Sequence, residues 1–97
     1  MVMKRRITWT PHADYRYAMR FARHDIMREE LEQEIEKQEF RIAEGYDKEY
    51  RTNKFKTIFP MRNKFATVGK AETNREIIIL TLWESSEEEV KLWEGKK

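Results

Sequence analysis

The chain contains no cysteine, which removes disulfide staples, thiol catalysis and thiolate metal sites together. Its three glycines, Gly45, Gly69 and Gly95, stand apart, so no glycine-rich loop is available to cradle nucleotide phosphates. The two histidines, His12 and His24, lack the helical His-Glu-x-x-His spacing of a zinc site. Asp47, Glu49 and Glu72 do not form the carboxylate pair with a following lysine that a metal-dependent nuclease would use. No apolar run approaches the roughly 18 residues of a membrane span, and none follows Met1 to Arg6 as a secretory signal requires. The expectation is a soluble, cytoplasmic protein without a membrane partner, a metal or a cofactor. No internal repeat or low-complexity linker interrupts the sequence, so residues 1–97 are read as a single domain.

What the chain has in abundance is charge. Charged residues make up 39% of it, beside 12% aromatics, and the apolar content is enough to argue for folding over disorder. A net charge of +2 conceals segregation: residues 1–24 carry +5, residues 25–50 carry −6, residues 51–76 carry +5 and the remainder −2. A fold that joins the first and third blocks would present a basic surface to a polyanion. If the blocks stay apart, the same pattern only solvates opposite sides of a small domain.

Local patterning gives an order of elements. Arg6 to Trp9 alternates and is rich in strand formers. Thr10 is placed to cap a helix and Pro11 to begin it, with Ala13, Tyr17, Ala18, Phe21 and Ala22 turned inward. A second helix runs from Asp25, read as its cap, to about Gln38, with Met27, Leu31 and Ile35 as its buried seam and glutamates outside. Glu39 to Glu44 reads as a strand stopped by Gly45, followed by a polar loop over residues 46–52 carrying Tyr46 and Tyr50. Phe55, Thr57 and Phe59 share one strand face, Lys54 and Lys56 the other. Pro60 to Asn63 is a turn, Phe65 to Lys70 the return strand, and Ile77 to Trp83 a strand covered on both faces. Ser86 to Glu89 forms a capping box for a short last helix ending at Gly95. The class is α+β: a short first strand, two helices, an antiparallel meander of three to four strands and a C-terminal helix.

One cluster carries chemistry. His12, Arg16, Arg20 and Arg23 follow at spacings of four, four and three, which keeps them within about 120° of one another on a helix. An imidazole with a pKa of about 6.5 suits proton transfer, and planar guanidiniums suit phosphate oxygens. His24, beside Asp25, reads as structural, as do Trp9 and Trp83 in a core.

His12-Ala13-Asp14-Tyr15-Arg16 resembles the His-Ala-x-x-Arg helix that opens one family of small domains. Ile7-Thr8-Trp9-Thr10, Arg23-His24-Asp25-Ile26 with Glu29-Glu30, and Arg75 to Leu82 with Ser85 to Glu89 resemble segments of the BrnT-like group of RelE-superfamily toxins. The resemblance covers nearly the whole length through short motifs. Leu82 and Trp83 stand where the BrnT-like group has an arginine, and one extra helical turn separates Arg16 from Ile26. The resemblance implies a RelE-like fold and, in active members, RNA cleavage without a metal, restrained by an antitoxin.

On that reading His12 moves the proton and Arg16 and Arg20 clamp the phosphate, these three being the catalytic candidates. Lys54, Lys56, Arg62 and Lys64 are the nucleic-acid-binding candidates, and RNA or the ribosome the target. Two other readings stay open. One is a non-catalytic module that keeps the fold and binds a protein or nucleic acid; the other is a homodimer with no nucleic-acid role.

Overall fold

The computed structural model describes residues 5–37 and 40–95. It has strand β1 (Arg6–Trp9), helices α1 (Pro11–Arg20) and α2 (Arg28–Lys37), strands β2 (Arg41–Asp47), β3 (Thr52–Met61), β4 (Lys64–Glu72) and β5 (Glu76–Glu84), and helix α3 (Glu87–Gly95). The strands form one sheet in the order β1-β5-β4-β3-β2. The meander β2 to β5 is antiparallel, and β1 joins β5 in parallel, Ile7 opposite Ile77. The α+β class and element order therefore follow the sequence reading, with β1 adding a fifth strand that makes the sheet mixed.

One sheet face holds the core. Phe59, Met61, Ala66, Val68, Ile77, Ile79 and Leu82 pack with Ala13, Tyr17 and Phe21 of the α1 segment and with Ile26, Leu31 and Ile35 of the α2 segment. Each fully buried large side chain contributes about 1.5–3 kcal/mol relative to exposure. The pairing register skips Leu80, since Gly69 faces Thr81 while Lys70 faces Ile79. That extra residue resets the alternation, which is why Ile77, Ile79 and Leu82 share a face. Across from it Gly69 sits in a tight approach, because a Cβ there would meet Thr81 Cγ2 at 3.2 Å and require that methyl to shift.

Helix α3 covers part of the opposite face. Ser86 N–H donates to Glu89 Oε1 at 2.9 Å and Glu89 N–H to Ser86 Oγ at 3.2 Å, the reciprocal capping box expected there. Trp93 packs edge-on to Phe65, ring centroids 5.2 Å apart.

Several local expectations are corrected. Helix α1 stops at Arg20, and residues Ala22–His24 form a separate 3-10 turn. Asp25 does not cap α2; it closes that turn in the left-handed region, φ 60°. Glu30 Oε1 instead accepts from Met27 N–H at 3.1 Å. The buried seam consequently takes Ile26 in place of Met27, which is exposed. Ala18 and Ala22 are also exposed. Strand β2 continues through a bulge at Gly45 to Asp47. Pro60 lies inside β3, where β2 pairing has already ended at Thr57, so its missing N–H costs no ladder bond. The turn is Arg62-Asn63, with Arg62 at φ 58°.

Candidate nucleic-acid interface

Helix α1 is anchored at its start. Thr10 Oγ1 accepts from Ala13 N–H at 3.2 Å and donates to the Ile79 carbonyl at 2.8 Å, tying the helix cap to β5. Ala13, Tyr17 and Phe21 then point into the core, and the Tyr17 hydroxyl donates to the Ile26 carbonyl at 2.6 Å. These fixed contacts divide the rest of the helix into two flanks. The Asp14 flank meets α2: Arg28 pairs with Asp14 and lays its guanidinium over Trp9 and Tyr17, 4.9 and 4.7 Å from their centroids.

The other flank carries His12, Arg16 and Arg20, and Arg23 follows, exposed, in the 3-10 turn. Arg16 Nε donates to His12 Nε2 at 3.4 Å, so the expected neighbours do touch. Beside them on the solvent side are Tyr15, 61% exposed, and Met19, 48% exposed. The sequence reading passed over both. Their helical spacing, three residues beyond His12 and Arg16, was the available signal.

What separates this flank from other basic regions is its pairing. Among the described residues, Arg16, Arg20 and Arg23 have no carboxylate within ion-pair distance. Three of the four expected phosphate-binding residues differ from them. Lys56 pairs with Glu89 at 3.3 Å. Arg62 donates to Glu30 Oε1 at 2.8 Å and to the Asp25 carbonyl at 3.1 Å. Lys64 pairs with Glu84 at 3.2 Å. The Met27 N–H, and after it Arg62, hold the Glu30 carboxyl below the usual 4.5.

Geometry divides the set further. Strand alternation puts Lys54 and Lys56 on the α3 face of β3, opposite the face that packs α1 and α2. Arg62 and Lys64 are on the helix-bearing side, at the β3–β4 turn. The seven candidate residues therefore do not gather in one pocket. His12, Arg16 and Arg20 form one surface, and the other four are divided between both sheet faces. Among the described residues no three His, Asp or Glu side chains converge as a metal site would require, and no helix is long and apolar enough to cross a membrane.

A second charged cluster lies at the end of the sheet away from the β3–β4 turn. Lys70 and Glu72 alternate with Ala66 and Val68 on the inward face of β4 and are both buried. Glu72 Oε1 accepts from Arg5 Nη1 at 2.5 Å; Oε2 accepts from Arg41 Nη1 at 3.0 Å and lies 3.4 Å from Lys70 Nζ. The Arg41 guanidinium stacks over Phe55 at 4.3 Å. Burial pulls the Glu72 carboxyl upward, but Lys70, Arg5 and Arg41 outweigh it and hold the group below its ordinary value. Burial likewise lowers the Lys70 ammonium, against the attraction of Glu72. A cavity of about 480 Å³ opens beside this cluster, lined by Arg5, Arg41, Asn53, Phe55, Glu72 and Asn74 among others.

No family model, curated protein or solved structure matches this chain.

Proposed function

We propose that the chain is an RNA-binding domain of the RelE/BrnT-like kind, and that the outer flank of α1 is its RNA surface. The observation that carries this reading is that Arg16, Arg20 and Arg23 pair with no carboxylate among the described residues, while Tyr15 and Met19 on the same helix are exposed. Arginines without carboxylates keep their full charge for phosphates, and an exposed aromatic next to them offers a stacking platform for an unpaired base. An apolar patch alone would fit a protein partner equally; the cation stripe favours a polyanion. The resemblance to toxin families adds ribosome-associated RNA as the target and a neighbouring antitoxin as the protein that would cover this flank.

A second reading, metal-independent ribonuclease, has its own support in the His12–Arg16 contact. The contact puts a side chain able to move a proton next to one able to hold a phosphate, Arg16 Nε lying 3.4 Å from His12 Nε2. The surface is open, however, and the cations expected to complete the clamp, Arg62 and Lys64, are bound to Glu30 and Glu84. Binding without cleavage is therefore the primary reading.

Fluorescence anisotropy with a labelled single-stranded RNA tests it. Each lost phosphate contact should reduce the salt slope by about 0.7, so Arg16→Ala, Arg20→Ala and Arg23→Ala together should lower it by about 2 and weaken binding tenfold or more at low salt. An unchanged slope rejects the α1 surface. RNA incubated with the protein in EDTA should remain intact; cutting that disappears in His12→Ala would replace the primary reading with the second.

A further inference from the structure

The Glu72 cluster carries more positive charge than its own pairing needs. Among the described residues, three cations meet one carboxylate, an excess of two positive charges of which one is at the cavity wall and the other, Lys70, is buried behind it. A guanidinium has five N–H donors. Arg5 directs Nη1 to Glu72 and, at 3.5 Å, to the Thr73 carbonyl, while Arg41 directs Nη1 to Glu72. Their other donors are uncommitted among the described residues. The two arginines are held on the two oxygens of a single carboxylate, and both line the same cavity. The side-chain amides of Asn53 and Asn74 line the same cavity and make no hydrogen bond to a described residue.

We propose that this cavity binds a phosphomonoester dianion, with Arg5 and Arg41 as its paired clamp and Asn53 and Asn74 as neutral donors. Two charges on the ligand match the two in excess, and the planar fork of arginine fits phosphate oxygens better than a point charge does. Glu72 is the positioning residue: it touches both guanidiniums and fixes their separation. Lys70, 1% exposed, completes the charge behind it without lining the cavity. The cavity is larger than a phosphate and has Phe55 as an aromatic wall under Arg41, so a nucleoside attached to the phosphate has room. The dianion can belong to a free nucleotide or to the phosphorylated end of an RNA. The site is separate from the α1 flank and does not depend on RNA binding there.

Calorimetric titration of the whole chain with inorganic phosphate, AMP and short RNAs bearing a 5′-phosphate or a 5′-hydroxyl tests the assignment. AMP should bind with one-to-one saturation. Affinity should fall tenfold or more in Arg41→Gln, and less in Asn74→Ala, a loop substitution that leaves the ion network intact. The variant lacking Arg16, Arg20 and Arg23 should bind AMP as the parent does. Affinity should also decline as pH drops below about 6, where a phosphomonoester loses its second charge. An RNA whose 5′-phosphate strengthens binding through Arg41 identifies an RNA end as the ligand; equal affinity for both RNAs with retained AMP binding identifies a free nucleotide. Absence of saturable binding by phosphate and AMP, or AMP binding that survives Arg41→Gln and Asn74→Ala but vanishes in the α1 variant, overturns the proposal.

Discussion

Two basic regions of this molecule are built oppositely. Around Glu72 the cations are tethered: Lys70 is buried, and Arg5 and Arg41 close on the same carboxylate, fastening β2 and the entry to β1 onto β4. Along α1, among the described residues, the arginines pair with no carboxylate, and Arg16 donates to His12. Positive charge at the first region helps hold the fold even where it also faces the cavity, whereas at the second, among the described residues, it is engaged in no ion pair. The net charge of each sequence block does not reveal this difference; the pairing of each side chain does. Arg62 and Lys64 belong with the tethered kind even though the turn places them near the surface.

The comparison is broken most directly at Glu72. Glu72→Ala strands three cations, one of them buried, and removing one partner from a buried pair costs on the order of 3–5 kcal/mol; urea unfolding should show that loss. Lowering the pH should approach the same state gradually. The folded Glu72 and Glu89 carboxyls ionise below the ordinary 4.5, because cations outweigh burial at Glu72 and because the Ser86 N–H, Trp83 and Lys56 outweigh it at Glu89. Their stabilisation is present above the unfolded-chain value and disappears as pH falls through the folded values. Unfolding midpoints measured below pH 4.5 should therefore decline less steeply in Glu72→Gln than in the parent.

The α1 arginines sharpen the contrast from the other side. Replacing Arg16, Arg20 and Arg23 by alanine should change stability by no more than about 0.5 kcal/mol per site, while RNA affinity falls as described above. The smallest effect is expected at Lys64→Ala. That half-exposed pair is worth at most about 1 kcal/mol, and RNA anisotropy should match the parent, since Lys64 is already occupied by Glu84.

Much of the architecture was legible because local chemistry and tertiary packing agree. Thr10 and Pro11 mark the start of α1, Ser86 and Glu89 that of α3, and alternation identifies the faces of β3. Misreadings occur where one residue type serves two geometries. An aspartate before a helix can be an N-cap or a left-handed stop, and Asp25 is the latter. Pro60 resembled a turn residue, but a strand whose neighbour has ended tolerates proline equally well. The His12–Arg16–Arg20 surface followed from helical spacing alone, whereas its failure to join Lys54 and Lys56 depends on which sheet face α1 covers. The Glu72 cluster was passed over although Lys70 and Glu72 follow Ala66 and Val68 in the same alternation. Two charges continuing an apolar inward face were the signal.

The parallel pairing of β1 with β5 also governs the timing of folding. Thr8 bonds Glu76 across 68 residues, and Thr10, which starts α1, is fastened to Ile79. The hairpins of the meander join neighbouring strands, so they can assemble as soon as each strand is made. The opening strand must wait, unpaired, until β5 has been synthesised, because long-range contacts close late. Mutations that slow the making of β5 should thus leave the nascent β1 open to chaperones and proteases.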